Sequence, residues 1–198
     1  MTQRKGLLLG CGILKNEVTS LINKNAWPLD TIFLDSALHC EFDKLSHGLT
    51  TELANQAGME TLVFYGACHP LMDRILEEHK TIRTDGQNCI EMLLGKKLFT
   101  DELLQGAFFL LEDWALRWRQ FCPKSFGTNK WDIIREMIRG DRTSLLCLRT
   151  PCSGDFTKEA EEAGALMDLP VRWMDVGLDH LEEVLKEAIF RQQRGSHA

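Results

Sequence analysis

TLVFYGACHPLMDRI, residues 61–75, followed at 81–95 by TIRTDGQNCIEMLLG, is the stretch whose reading decides the fold. The apolar run Leu62–Tyr65 halts at Gly66-Ala67-Cys68, the pattern of a buried parallel strand that presents a residue at its carboxyl end. Leu71–His79 then has helical spacing. Thr81–Arg83 reads as a short further strand, and Arg83-Thr84-Asp85-Gly86 as a turn. Asn88-Cys89 opens the apolar run Ile90–Leu94, which puts Cys89 in the first turn of a helix. There, exposed amide protons and the helix dipole favour a thiolate.

On the amino-terminal side the same unit recurs. Gly6–Ile13 is a continuous apolar strand ending in Gly10-Cys11-Gly12, where glycine lets the backbone turn sharply or approach a ligand closely. Gly10, Gly12 and Gly66 are therefore the candidate cofactor-binding positions. Leu14–Asn25 has helical periodicity. Leu29–Leu34 is a second strand whose exit, Asp35-Ser36-Ala37-Leu38-His39-Cys40, is polar, and Asp43 caps a helix to about Ala57 with Leu45, Leu49 and Leu53 on one face.

On the carboxyl-terminal side, Gly106–Leu111 is a strand, Trp114–Phe121 a mostly helical stretch, and Cys122–Thr128, with its proline and glycine, the most flexible loop. Asn129–Arg139 is an amphipathic helix. Thr143–Leu148 and Pro170–Val176 are strands separated by the helix Thr157–Met167, a last helix runs from Asp179 to about Phe190, and 191–198 is a fraying tail. This alternation predicts one α/β domain over 1–198, a Rossmann-like three-layer sandwich with a mainly parallel sheet and a site at the carboxyl ends of its strands.

Composition narrows the functions. The 198 residues are 44% hydrophobic and 26% charged, which is ordinary for a folded globular chain and excludes disorder or fibre. The formal net charge of -6 offers no basic field for nucleic acid or an anionic membrane surface. No apolar run approaches the roughly 20 residues a membrane span needs, and Lys15 and Glu17 end the amino-terminal apolar run too early for a signal peptide. The expected location is the cytoplasm. Seven cysteines, an odd number without a CxxC pair, exclude a disulfide-stapled scaffold and a simple zinc ribbon, so any metal site is assembled from distant segments.

Cys11, Cys68 and Cys89 all fall beside glycine or at a helix start, whereas a filler cysteine falls inside a strand, as Cys147 does in SLLCL. Three converging thiolates would hold an iron-sulfur cluster or, second, zinc, leaving one position for water, substrate or His69. His39 and His69 stand at strand exits and Arg83 at a turn; these three are the candidate catalytic residues that orient a small-molecule substrate. Arg83 and Asp85 read as a pair across their turn, ahead of a site for an anionic substrate, and Glu17 as a solvent-facing carboxylate, ahead of one aimed at the Gly10-Cys11-Gly12 turn. Thr150–Asp155, TPCSGD, resembles an anion-binding or nucleophilic loop around Cys152 but lacks the spacing of a phosphate loop. Trp114, Trp118, Phe121 and Trp131 read as core or as a homo-oligomer contact.

GCGILKNE, LDSALHCEFDKL, the YGAC turn, TDGQNCIEMLLG and GAFFLLEDW, in that order and followed by a strand-helix pair, resemble the domain-of-unknown-function family 1638 of bacterial and archaeal proteins. The resemblance implies cysteines at the places of Cys11, Cys68 and Cys89, a histidine at His39, and a metal or cluster site. His69, where a glycine is expected, and Gln87-Asn88, where an acidic residue is expected, depart from that pattern. The family's association with corrinoid-dependent methyl transfer suggests a one-carbon role, with a corrinoid or methyltransferase protein as partner. Two other readings stand beside the metal enzyme: a non-enzymatic accessory protein that binds such a partner through Trp114–Phe121, and a metal-free thiol enzyme acting through Cys68 or Cys152.

Overall fold

The computed structural model describes residues 5–195. In chain order the elements are β1 (Gly6–Cys11), α1 (Lys15–Lys24), β2 (Leu29–Leu34), α2 (Phe42–Asn55), β3 (Thr61–Phe64), α3 (Met72–Glu78), β4 (Ile82–Arg83) and α4 (Cys89–Leu94). There follow α5 (Lys96–Leu104), β5 (Ala107–Leu110), α6 (Glu112–Leu116), α7 (Trp118–Phe126), α8 (Trp131–Arg139), β6 (Ser144–Arg149), α9 (Thr157–Met167), β7 (Val171–Asp175) and α10 (Asp179–Gly195). The chain forms two compact units, one of residues up to Gly95 together with those from Leu178 onward, the other of Lys96–Gly177. The architecture is α/β and Rossmann-like, and both of its sheets are parallel throughout. They are separate sheets of four and three strands; β4, only two residues long, closes the first at its edge.

In the first unit the strand order is β2-β1-β3-β4. The chain steps from β1 outward to β2 and then back across β1 to β3. With right-handed crossovers this sends α1 and α2 to opposite faces. On one face Leu9, Val63 and Tyr65 pack with Leu45, Leu49 and Leu53 of α2 and Met72, Ile75 and Leu76 of α3. Leu45, Leu49 and Leu53 recur every fourth residue, which is what lines them up along one stripe, and each buried leucine contributes roughly 1.5–3 kcal/mol. Opposite, Leu8, Leu62 and Phe64 are buried, and α10 packs on β3 and α4.

The second unit orders its strands β5-β6-β7. Leu145, Leu146, Cys147 and Leu148 of β6 are all buried, as a central parallel strand covered on both faces requires. Trp118 and Phe121 are buried, and Trp114 stacks on Phe121 at 4.8 Å between ring centroids. With Trp131 packed against the same cluster, these aromatics are core side chains of this unit.

Several local expectations are corrected. The first strand stops at Cys11 and Gly12–Leu14 is a turn of 3-10 helix; Ser36–Cys40 is another, capped by Asp35, whose carboxylate accepts the Ala37 N–H at 2.8 Å. Residues 122–126, expected as loop, continue α7, because burial of Phe121 and Cys122 holds the helix on the core past Pro123. Gly127, at φ 64°, then ends it, with Gly127 and Thr128 N–H groups donating to Lys124 and Pro123 carbonyls. Lys96–Leu104 is a helix that no periodicity announced. Glu17 is buried rather than solvent-facing. The last helix runs on to Gly195; of the expected tail, 196–198 lie outside the described residues, as do Met1–Arg4 of the amino-terminal stretch. Among the described residues no helix is long and apolar enough to cross a membrane.

Candidate thiol site

β1 and β3 are neighbours whose following connections leave in opposite directions, which makes the gap between their carboxyl ends a topological switch point. Cys11 is the last residue of β1. The register pairs Gly10 with Phe64, so Cys11 stands level with Tyr65, and both belong to the face that packs on α2 and α3. Cys68 lies three positions along the same exit and packs against the same cluster. Cys89 is the first residue of α4, whose cap is Asn88; the Asn88 side chain accepts the Glu91 N–H at 2.9 Å.

Gly66 brings these segments together. The Ala67 N–H donates to the Gln87 carbonyl at 2.9 Å. A Cβ on Gly66 would stand 2.4 Å from that oxygen and 2.7 Å from Asn88 Cα, so only glycine lets the Cys68 exit lie this close to the start of α4. The other two predicted glycines serve packing in the same way. Gly10 is flanked by Phe33 and Phe64, and Gly12 lies against the Leu34 carbonyl.

Cys89 feels the other two thiols. Burial pushes the Cys89 thiol well above its ordinary value, and proximity to Cys11 and Cys68 pushes the same way, against the amides of Cys89 and Ile90. Burial likewise raises Cys68, opposed by the Gly66 amide and the Arg83 guanidinium. The helix-start effect on Cys89 is therefore present but outweighed, and the expected thiolate is a thiol in the protein alone. All three residues are half-buried, and none of the seven cysteines forms a disulfide.

Tyr65, the chain's single tyrosine, completes the cluster and was not singled out from the sequence. It is 1% exposed. Burial raises its phenol far above the ordinary value, with Cys11, Cys68 and Asp35 adding to the effect. The hydroxyl lies beside the Cys11 sulfur, yet no acceptor is aligned to make a hydrogen bond with it. The available signal was compositional: ten phenylalanines fill apolar positions and one tyrosine stands at a strand exit beside YGAC.

The histidines hold opposite tautomers. His39 Nδ1 donates to the Ser36 carbonyl at 2.7 Å, which leaves the Nε2 lone pair deprotonated, and burial lowers its pKa. His69 is buried, edge-on to Phe42, and its Nδ1 accepts the Leu71 N–H at 3.0 Å, so its proton is on Nε2. Arg83 does not pair with Asp85. Its Nε donates to Asp73 at 2.8 Å and its Nη1 to the Thr84 and Gly86 carbonyls, while Asp85 meets Arg191 at 3.2 Å. Arg83 is thus first a brace between α3 and the 84–86 turn, placed close enough to Cys68 to affect it.

Cys147 and Cys122 are buried in the second unit, and burial pushes both thiols up to about 12, as befits filler. Cys40 ends its 3-10 turn, and Cys152 sits in a loop of the second unit. Among the described residues no group of three His, Cys, Asp or Glu side chains stands as a ready-made metal site. Two surface clefts, of about 230 Å³ beside Trp118 and Glu159 and about 630 Å³ beside Met59 and His79, are lined by none of the three thiols. Chemistry rather than volume marks the site.

Residues 33–185 match the family described as protein of unknown function (DUF1638), and the chain belongs to that family. The match takes in His39, Tyr65, Cys68 and Cys89; Cys11 precedes it. No curated protein and no solved structure matches the chain.

Proposed function

We propose that Cys11, Cys68 and Cys89 hold a thiophilic metal centre, an iron-sulfur cluster ahead of zinc, in a cytoplasmic protein that presents it to a small-molecule substrate. The observation that carries this reading is the placement of three cysteines from three separate segments near the switch point between β1 and β3, where the exit of β3 is hydrogen-bonded to the segment that starts α4. The donor set fits. Burial holds Cys68 and Cys89 protonated in the protein alone, and a cation is what reverses that balance. Loading requires the thiols to lose their protons and turn toward a common point.

When bound, such a centre supplies Lewis-acid polarisation or an electron, with three protein ligands leaving one position open. The surrounding residues have distinct tasks. His39 offers an Nε2 lone pair, as a base or a further ligand, and His69 offers an Nε2 proton to an electronegative substrate atom. Arg83, held by Asp73, fixes positive charge beside Cys68. Methylated corrinoids and other methyl donors are the substrates to offer first, as the one-carbon association of similar sequences suggests. A metal-free nucleophile fits less well, since a thiol raised by burial is a poor attacking group near neutral pH.

The test is the metal and acid-labile sulfide content of anaerobically purified protein, compared with Cys68→Ala and Cys89→Ala. Stoichiometric iron and sulfide, lost in both variants, is the expected result; zinc lost in both would make the centre a zinc site. Wild-type protein without bound metal after anaerobic reconstitution with iron, sulfide or zinc would overturn the proposal.

A further inference from the structure

We propose that the cleft of about 230 Å³ in the second unit binds a free α-amino acid with an apolar side chain. The site lies wholly within Lys96–Gly177, is lined by none of the three thiols, and is independent of the metal reading above. One wall is the junction of α6 and α7, residues 115–120; the other is the face of α9 that carries Glu159, Glu162, Ala163 and Leu166. Those four recur at the i, i+3, i+4 and i+7 spacing of one helix stripe, which sets two carboxylates beside an apolar patch. Leu116, 57% exposed, adds an apolar side chain that the core does not use.

The charges decide the ligand. Arg117 is committed to Asp113, to which its Nη2 donates at 3.0 Å. Arg119, Glu159 and Glu162 also line the cleft, and among the described residues none of their side chains forms an ion pair or a hydrogen bond. Donors gather on the α7 side. The Gln120 and Phe121 N–H groups donate to the Arg117 carbonyl at 2.9 and 2.8 Å, whereas those of Trp118 and Arg119 precede any intrahelical acceptor. Trp118 is 3% exposed, and its Nε1–H is buried without an acceptor among the described residues. A buried donor left so in the wall of a cleft is costly until a ligand's oxygen satisfies it. A simple anion would suit this wall but meet two carboxylates on α9; a simple amine would suit α9 but meet Arg119 and the donors. A ligand with both charges on neighbouring atoms, and an apolar remainder for Leu116, Ala163 and Leu166, suits the whole lining. That is the constitution of an aliphatic or thioether amino acid. The volume, below the roughly 300–1,000 Å³ of sites for drug-sized ligands, suits a molecule of that size.

Isothermal titration of the full chain tests this with L-leucine, L-isoleucine and L-methionine. Each is compared with its amide, which lacks the anionic charge, and with its deaminated acid, which lacks the cationic one. At least one amino acid should bind stoichiometrically, with its amide and its deaminated acid each weaker by about tenfold or more, the worth of one charge-assisted contact. Arg119→Gln and Glu162→Gln change exposed side chains and leave the core alone. Both should weaken the amino acid by about the same factor, and Glu162→Gln should not weaken the deaminated acid. No binding of any of the three at millimolar concentration would overturn the proposal. Equal affinity for an amino acid and its deaminated acid would make the cleft an anion site and overturn it as well, as would variants that bind like wild type.

Discussion

Both sheets are parallel, but only the first, ordered β2-β1-β3-β4 rather than β5-β6-β7, has a switch point at its carboxyl edge, and the chemistry at the two edges differs as well. In the second unit, the loop after β6 is satisfied by its own side chains and by Glu112. Thr150 and Cys152 N–H groups donate to Ser153 Oγ and Thr150 Oγ1, the Gly154 N–H donates to Glu112 at 3.1 Å, and Asp155 accepts the Thr157 N–H at 3.0 Å. Arg149, at the strand end, pairs with Asp175 at 2.8 Å. In the first unit, Cys89 is buried near two other thiols and the Tyr65 phenol is buried with no acceptor in good geometry. The residue types at a strand exit do not decide whether it is a site. What decides is whether its polar groups find partners within the chain.

The contrast is sharpest at two glycines. Gly66→Ala drives a Cβ into the Gln87 and Asn88 backbone, which cannot move without shifting the start of α4. It should cost about 3 kcal/mol and abolish metal uptake. Gly154→Ala meets only the Glu112 carboxylate end, at 2.8 Å, which can swing away. That variant should lose about 1 kcal/mol, one charge-assisted hydrogen bond at the most, and keep its metal. Urea midpoints and metal content decide it, and equal losses in the two variants would break the distinction between the edges.

These edges also show what was legible in the sequence. Strand positions were, because buried parallel strands are short apolar runs ended by glycine or a polar exit; β2 and α9 fall at the residues read for them. Whether the thiols come near one another was legible only as a conditional, since it depends on strand order, which no local pattern encodes. Burial was less legible still. Glu17 and Cys89 were read from helix position, one as solvent-facing and the other as a thiolate, and in both cases tertiary packing prevailed over the local preference. TPCSGD carried the residues of an anion loop, but the carboxylate that occupies its amide comes from Glu112, on another segment. Tyr65 was hidden because an apolar run absorbs a tyrosine as readily as a phenylalanine.

Removing the Glu112 carboxylate should expose what that loop could otherwise do. Glu112→Ala takes the acceptor from the Gly154 N–H and should destabilise the protein by about 1.5 kcal/mol, the low end for a hydrogen bond to a charged group. The amide then has room for another anion. Millimolar phosphate should raise the urea midpoint of Glu112→Ala and leave that of wild type unchanged. Protection of wild type by phosphate would mean that the second edge is also an open site.

The effect furthest from the thiols concerns a carboxylate of the first unit. Glu182 on α10 is buried beside Lys24, at 2.8 Å, and Lys186, and these partners hold its carboxyl down to about 2 from an ordinary 4.5. A folded-state value below the unfolded one means that its contribution is complete above about 4.5 and is lost as pH falls through about 2. Glu182→Gln should therefore be less stable than wild type at pH 7, and the difference should close between those two values. Metal binding at neutral pH should be unaltered in this variant, since Lys24 ends α1 on the side that leads back to β2 rather than at the strand exits. A buried anion in this unit is thus paired by lysines, whereas the groups that favour ionised Cys68 and Cys89 are Arg83 and a few amides. If thermal melts of Glu182→Gln and wild type differ equally at pH 7 and pH 2.5, that pairing is not what stabilises α10 against α1. The argument that ionic partners distinguish closed from open chemistry within the first unit would then lose its reference point.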